Sequence, residues 1–365
     1  MKLKLIIAAI SSRAYVQAAV AAGFEVVAID AFADVDTQKS ALQVHKINCD
    51  ERGFHADELL RLLQRIDLSG LQGMCFGAGF EAQPELLTKI SKLLPVLGNL
   101  PDTIEKVKNP QLFAALCHAF EMPMPTISLQ RPRNSLGWLT KQIGGCGGAH
   151  IKPLLPLDLL YSQPQKMPVY YQKIQAGESV SCLFLADGVH AEIASYNEQW
   201  CASTAILPYR YGGAVSHTTV TPSNKNKIEQ FIKGMTFKLG LRGLNSADFL
   251  IDNNTVYALE INPRLSATLD LITAKRGDYF ASHIASCQAQ LTDWPSVKNT
   301  AKAHQIIYAN KTAKVPAAME WDDYVVDIPQ PNTDIAAGMP ICTVTAKAHT
   351  ARLAKQKVLE RAADL

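Results

Sequence analysis

The chain has 365 residues, of which 48% are hydrophobic and 19% charged, and its formal net charge is +3. That length and balance suit a folded protein of two or three domains and exclude a disordered one. So small a charge, with no Lys/Arg run, gives no argument for a nucleic-acid partner, and none is expected. No apolar stretch reaches the length of a membrane span.

The 8 cysteines (Cys49, Cys75, Cys117, Cys146, Cys182, Cys201, Cys287, Cys342) are scattered, with no Cys-x-x-Cys and no His pair at zinc spacing. Reduced thiols in a cytoplasmic enzyme are the expectation. The start, Met1 to Ile10, mimics a signal peptide. Its apolar part is short and Arg13 follows soon, so it reads as a buried first strand.

In chain order, 3–10 reads as a strand, 13–22 as a helix ended by Gly23, and 25–30 as a second strand. This is a βαβ unit of a doubly wound α/β sheet. The loop from Ala9 to Arg13 lacks the Gly-x-Gly-x-x-Gly that lets backbone approach a pyrophosphate, so Asp30 is read as structural. A helix over 55–66 leads into a strand near 70–75 and the turn Gly77-Ala78-Gly79-Phe80-Glu81. That turn lies at the carboxyl edge of the sheet, where ligands sit. Its glycines either make a tight strand–helix turn or, with Glu81, border a substrate. A helix over 84–94 closes the first domain near residue 100.

Residues 102–122 read as one helix with Lys108 near its start, and Met122-Pro123-Met124-Pro125-Thr126 begins a strand. Residues 138–151 read as strand, Lys141, glycine loop (Gly144, Gly145, Cys146, Gly147, Gly148) and strand. Glycines allow positive φ and close approach, so consecutive N–H groups can point at phosphate oxygens. Residues 169–184 alternate as a strand, turn at Gly177 and resume. The polar, aromatic and glycine-rich segments 197–200 and 208–214 read as lying between strands, the expected specificity loop, with Gly212 and Gly213 beside the substrate. A helix over 224–239 ends at Gly240.

Residues 245–268 are the most informative stretch. Phe249-Leu250-Ile251, a polar turn and Val256-Tyr257-Ala258-Leu259 make a strand–turn–strand pattern interrupted by Asp248, Glu260 and Asn262. Unpartnered carboxylates are costly to bury, so these either face water or hold a cation. Glu260 and Asn262 share one strand face. Asp248 joins them only if it pairs directly with Glu260, which needs an odd-numbered loop, for example 253–255 with a bulge. Three converging hard oxygens suit Mg²⁺. Farther on, 278–290 reads as helix, 299–315 and 321–326 as extended, 338–345 as turn plus strand, and 350–363 as helix.

Asp248 followed by Glu260-Ile-Asn262-Pro-Arg264, with the Lys141 glycine hairpin upstream, resembles the ATP-grasp superfamily. The resemblance implies an α/β ATP-grasp fold behind an N-terminal Rossmann-like domain. Its expected divisions are 1–100 (N-terminal domain), 101–174 (nucleotide-binding lid), 175–295 (catalytic domain) and 296–365 (small closing subdomain). It also implies site roles. Asp248, Glu260 and Asn262 hold Mg²⁺ between ATP phosphates. Lys108, Lys141 and the loop glycines Gly144, Gly145, Gly147 and Gly148 meet those phosphates. Gln172, Lys173 and Ile174 lie against adenine through their backbone, and Glu178 takes the ribose hydroxyls. Arg264 steadies the reacting group, and Ser266 and Thr268 touch substrate. Gln142, Cys146 and His150 depart from the family pattern around the loop.

The implied reaction activates a carboxylate as an acyl phosphate and joins it to an amine. The branch most resembled is the tyramine–glutamate ligase type, which serves one-carbon-carrier cofactor synthesis. The alternatives are carboxylation by the same fold and ATP sensing without turnover. The expected partners are small molecules, with packing or a homodimer as the role of the tail.

Overall fold

The structure is a computed structural model that describes residues 2–156, 167–272, 276–290 and 300–365. Its first unit is a parallel sheet of four strands in the order Gln43–Lys46, Glu25–Asp30, Lys4–Ala9 and Leu71–Phe76. The two central strands carry near-continuous apolar runs because both of their faces are covered. Ala14, Val16 and Ala18 of the Arg13–Ala21 helix pack with Leu5 and Ile7 on one side. Leu59 and Leu63 of the Ala56–Arg65 helix, and Leu86, Leu87 and Ile90 of the Pro84–Ile90 helix, pack with Ile6 and Ala8 on the other.

The single helix expected over 102–122 is two. Pro101–Lys108 and Pro110–Ala119 meet at Asn109. Pro110 lacks the N–H an unbroken helix needs and disfavours helical backbone before it, and Asn109 is extended, with ψ 116. The Asn109 side chain then caps the second helix, accepting from Gln111 N at 3.0 Å and Leu112 N at 3.1 Å. Lys108 therefore ends a helix instead of lying near the start of one.

A small antiparallel sheet follows, ordered Ile127–Ser128, Val169–Lys173, Trp138–Gln142 and Lys152–Pro153. The largest sheet has eight antiparallel strands. Their order is Thr255–Asn262, Arg242–Asp252, Glu178–Asp187, Ala191–Cys201, Tyr211–Ser216, Ala301–Tyr308, Pro340–Ala348 and Val325–Val326. Phe231 and Met235 of the Pro222–Leu239 helix pack with Cys182, Phe184 and Phe249 on one face. On the opposite face Leu183, Leu185 and Leu244 join the N-terminal helix and Phe280 and Ile284 of the Arg276–Cys287 helix in one core. That shared core seats the parallel sheet on the large one.

Two expectations change here. Residues 197–200 lie inside the Ala191–Cys201 strand, not in a loop, and Tyr211–Ser216 is its antiparallel neighbour. The strands after residue 300 extend the same ladder, through Gly213 opposite Gln305 and Val215 opposite Ala303. Residue 299, where the first of these was expected to begin, lies outside the described residues. Among the described residues no helix is long and apolar enough to cross a membrane.

Candidate functional site

The Arg242–Asp252 and Thr255–Asn262 strands form the acidic hairpin. Its loop is the two-residue turn Asn253-Asn254 between the pair Asp252 and Thr255, with Asn253 at φ 52. Left in plain register, that turn would set Leu259 opposite Asp248 and send Glu260 to the other face, with Ala247. The ladder instead shifts by one residue: Phe249 pairs with Ala258, and Asp248 with Glu260. Leu259 is the extra residue of a β-bulge. The oddness that the sequence demanded thus sits in the strand and not in an odd-numbered loop. Asn262 Nδ2 donates to Asp248 Oδ2 at 2.9 Å, and Gln199 Nε2 to Asp248 Oδ1 at 3.3 Å. Gln199 comes from the strand that was expected to be a loop.

Lys108 reaches this face from its helix end, 3.1 Å from Glu260 Oε2 and 2.8 Å from Asn262 Oδ1. Burial raises the Glu260 carboxyl, but Lys108, Lys141 and His150 outweigh it and hold the group below the usual carboxylate range. Burial and the neighbouring Glu260 push Asp248 up. The two acids therefore ionise unequally until more positive charge arrives. Two carboxylates and an amide oxygen on one face form a hard-oxygen set that fits Mg²⁺. Among the described residues no group of three His, Cys, Asp or Glu side chains gathers as a metal cage. Asn262 and any bound phosphate oxygens would have to complete the coordination.

Arg264 follows the second strand. Its Nε donates to Glu81 Oε1 at 2.8 Å, while Glu81 Oε2 accepts from Gly79 N at 2.9 Å and Phe80 N at 3.1 Å. Burial raises the Glu81 carboxyl, but Arg264 and Lys108 outweigh it, so the acid stays ionised. Glu81 thus belongs to the site. Its sequence signal was an acid placed just after a glycine turn at the carboxyl edge of a parallel sheet. Ser266 and Thr268 are both buried and hydrogen-bond each other through their hydroxyls at 2.9 Å at the start of a short 3₁₀ turn.

The glycine loop joins Trp138–Gln142 to Lys152–Pro153. Gly144, Gly147 and Gly148 have φ of 72, 67 and 74°. A Cβ on Gly148 would lie 1.9 Å from Tyr209 O, and one on Gly144 would lie 2.5 Å from Glu81 O. Tyr211 N donates to Gly147 O at 2.9 Å. The loop is therefore seated between the N-terminal turn and the Tyr211–Ser216 strand. Gly145 packs on the His150 ring, whose own pKa burial pushes down to about 4.

Lys141 is buried, with Nζ 3.3 Å from Gln172 Oε1 and 5.7 Å from the Tyr170 ring centroid. The N–H groups of Lys173 and Ile174 donate to Thr126 O and Gly137 O, each at 2.8 Å. Glu178, exposed, opens the next strand just after Gly177. Gln172 Nε2 is buried with no hydrogen-bond partner among the described residues, an orphaned donor that a bound base could satisfy.

Gly212 and Gly213 lie in the Tyr211–Ser216 strand. Gly213 pairs with Trp200 and Gln305, Gly212 is the residue skipped at the register shift beside it, and a Cβ on Gly213 would lie 2.2 Å from His304 O and 2.7 Å from the Trp200 ring. Strand packing explains both glycines.

The sequence profile of the ATP-grasp domain family matches residues 108–268, the span from Lys108 to Thr268. An uncharacterized protein of Methanocaldococcus jannaschii is 27% identical over 210 residues, 57% of this chain and 50% of that protein. The carbamoyl phosphate synthase large chain of Vibrio parahaemolyticus is 19% identical over 219 residues, 54% of this chain and 20% of that protein. The chain thus spans half or less of the curated relatives it matches.

Solved structures share its fold over nearly all of its length. The biotin carboxylase domain of Hydrogenobacter thermophilus 2-oxoglutarate carboxylase superposes with TM-score 0.75 at 13% identity, covering 99% of this chain and 89% of that one. An L-amino acid ligase from Bacillus licheniformis gives TM-score 0.70 at 11% identity, with coverage of 99% and 97%.

Proposed function

We propose, from the premise that residues 108–268 are an ATP-grasp domain, that this chain is an ATP- and Mg²⁺-dependent carboxylate–amine ligase. The observation that carries the reading is the convergence of Asp248, Glu260 and Asn262 on one hairpin face, with Lys108 bonded to two of them. Bound ATP with Mg²⁺ supplies the phosphoryl group. For the chain, what remains is positioning and charge neutralisation. Asp248, Glu260 and Asn262 hold the metal. Lys108 and Lys141 offset phosphate charge, and Gly144, Gly145, Gly147 and Gly148 let loop backbone close over it. Gln172, Lys173, Ile174 and Glu178 hold the nucleoside.

Arg264, oriented by Glu81, faces the activated carboxyl and stabilises the charge that develops there. Ser266 and Thr268 border that substrate. In this reading the amine then displaces phosphate from the acyl phosphate. The reading keeps the divisions 1–100, 101–174, 175–295 and 296–365 as working units. It takes the tyramine–glutamate type of ligase, in cofactor synthesis in the cytoplasm, as the first pairing to assay.

The test is phosphate release from ATP in the presence of Mg²⁺ and pools of carboxylic acids and amines. One acid–amine pair is expected to stimulate release. Glu260→Ala is expected to stay folded and lose at least a hundredfold in rate. Silence across broad pools, with nucleotide still bound, would leave a nucleotide sensor in place of the ligase.

A further inference from the structure

We propose that Gln172 reads the bound nucleotide's base purely as a hydrogen-bond donor, so that the site takes 6-oxo purine nucleotides as well as ATP. This rests on the nucleotide-binding reading above and deepens it. Gln172 is 3% exposed, and its Oε1 lies 3.3 Å from the Lys141 ammonium. An ammonium has three donors and no lone pair, so only the amide oxygen can face it. Lys141 thereby fixes which way round the amide sits. The NH₂ end is turned away from Lys141, buried, and without a partner among the described residues.

Leaving a buried donor unmet costs about 1–3 kcal/mol. A ligand acceptor would remove that cost. The neighbouring linker donors are already committed, Lys173 N to Thr126 O and Ile174 N to Gly137 O. The amide of Gln172 is thus the donor this segment has left for a base.

Along the edge that carries position 7, adenine shows one acceptor, N7, beside a 6-amino donor. A 6-oxo purine shows two acceptors, N7 and the oxygen. A donor-only amide bonds N7 of either base and meets nothing repulsive in the oxygen. A carboxylate at the same place would accept from the 6-amino group and repel a 6-oxo group, because discrimination comes from the mismatched partner.

The test is calorimetric binding of the β,γ-imido analogues of ATP and ITP, with Mg²⁺, to the full chain and to Gln172→Glu and Gln172→Leu. The wild type is expected to bind the two within about tenfold of each other. Gln172→Glu, which loses the donor to N7 and gains an acceptor, is expected to weaken both analogues, and the ITP analogue at least tenfold more than the ATP analogue. Gln172→Leu, which removes the donor without adding an acceptor, is expected to weaken both by about the tenfold that one hydrogen bond is worth. Wild-type rejection of the ITP analogue by a hundredfold would overturn the proposal. So would an unchanged ratio in a folded Gln172→Glu that still binds. Binding of both analogues, with no phosphate release from ATP itself across the acid and amine pools, would leave this proposal standing and remove the ligase reading. Binding of neither would remove both.

Discussion

Gly148 shows how one missing carbon can govern the site. Its φ of 74° and the 1.9 Å gap to Tyr209 O leave no room for a methyl group. Gly148→Ala should therefore unseat the loop, lowering nucleotide affinity about tenfold or more while moving the melting temperature little, since the loop lies over the site and not in a core. Equilibrium nucleotide titration beside a thermal melt checks this. Glu178→Ala should weaken nucleotide binding more than turnover, and unchanged affinity would remove the ribose role.

The buried histidines set an acid limit on stability. Burial pushes both His283 and His304 down to about 4 from the ordinary 6.5. His283 stays neutral because Nδ1 accepts from Leu244 N at 2.9 Å, leaving Nε2 to face Leu97 O at 3.2 Å. These folded pKa values lie below the unfolded one. Their stabilisation is therefore complete above 6.5 and is lost as pH falls through about 4. Urea midpoints should drop between pH ~7 and ~5, and His283→Gln should flatten that slope. Residue types were legible at this scale: the two acids, the amide, the lysines and the arginine could all be named from the chain. The Glu81–Arg264 pair could not be assigned, because 183 residues separate its members.

At the scale of elements, two local irregularities aim the chemistry. One is the bulge at Leu259, without which Glu260 would face the apolar side beside Ala247 and Phe249. The acids announced that they had to meet, but no propensity marks Leu259, and the bulge is fixed by packing on both faces of the sheet. The other is the helix break at Asn109-Pro110. It was legible, since proline cannot continue a helix. The apolar periodicity running across it on both sides hid it. Asn109→Ala should cost about 1 kcal/mol as a lost cap. It should also free the Lys108 helix end, raising the nucleotide requirement more than the stability loss explains. Paired chemical unfolding and binding measurements separate the two effects. Residues 197–200 misled for the opposite reason. Their polar side chains look like a loop, yet Ser195, Asn197 and Gln199 line the site face of a strand, where Asn197 Nδ2 donates to Ser181 Oγ at 3.4 Å.

Across the whole molecule, one buried charge network fastens distant parts together. Arg13, at the start of the first helix, donates to Asp270 at 3.0 Å and to Asp327 at 2.7 Å, and Lys302 reaches Asp270 at 3.1 Å. Removing the arginine leaves buried Asp270 with Lys302 and leaves part-exposed Asp327 to water, so Arg13→Ala should cost about 1–3 kcal/mol. Urea unfolding is the check, and a change below about 1 kcal/mol would show that the network contributes little. None of this pairing could be read from the chain, because its members lie up to 314 positions apart. The parallel N-terminal unit, by contrast, was plain from its apolar runs.

The eight-stranded ladder has a practical consequence for anyone trimming this protein. Tyr211–Ser216 hands its outer hydrogen-bonding edge to Ala301–Tyr308. Cutting the polypeptide near residue 290, at the apparent close of the catalytic portion, would strip that neighbour away and bare Val215, now fully covered. The shortened product would present a raw, greasy margin to its own copies, and it should precipitate on expression where the longer form stays dispersed.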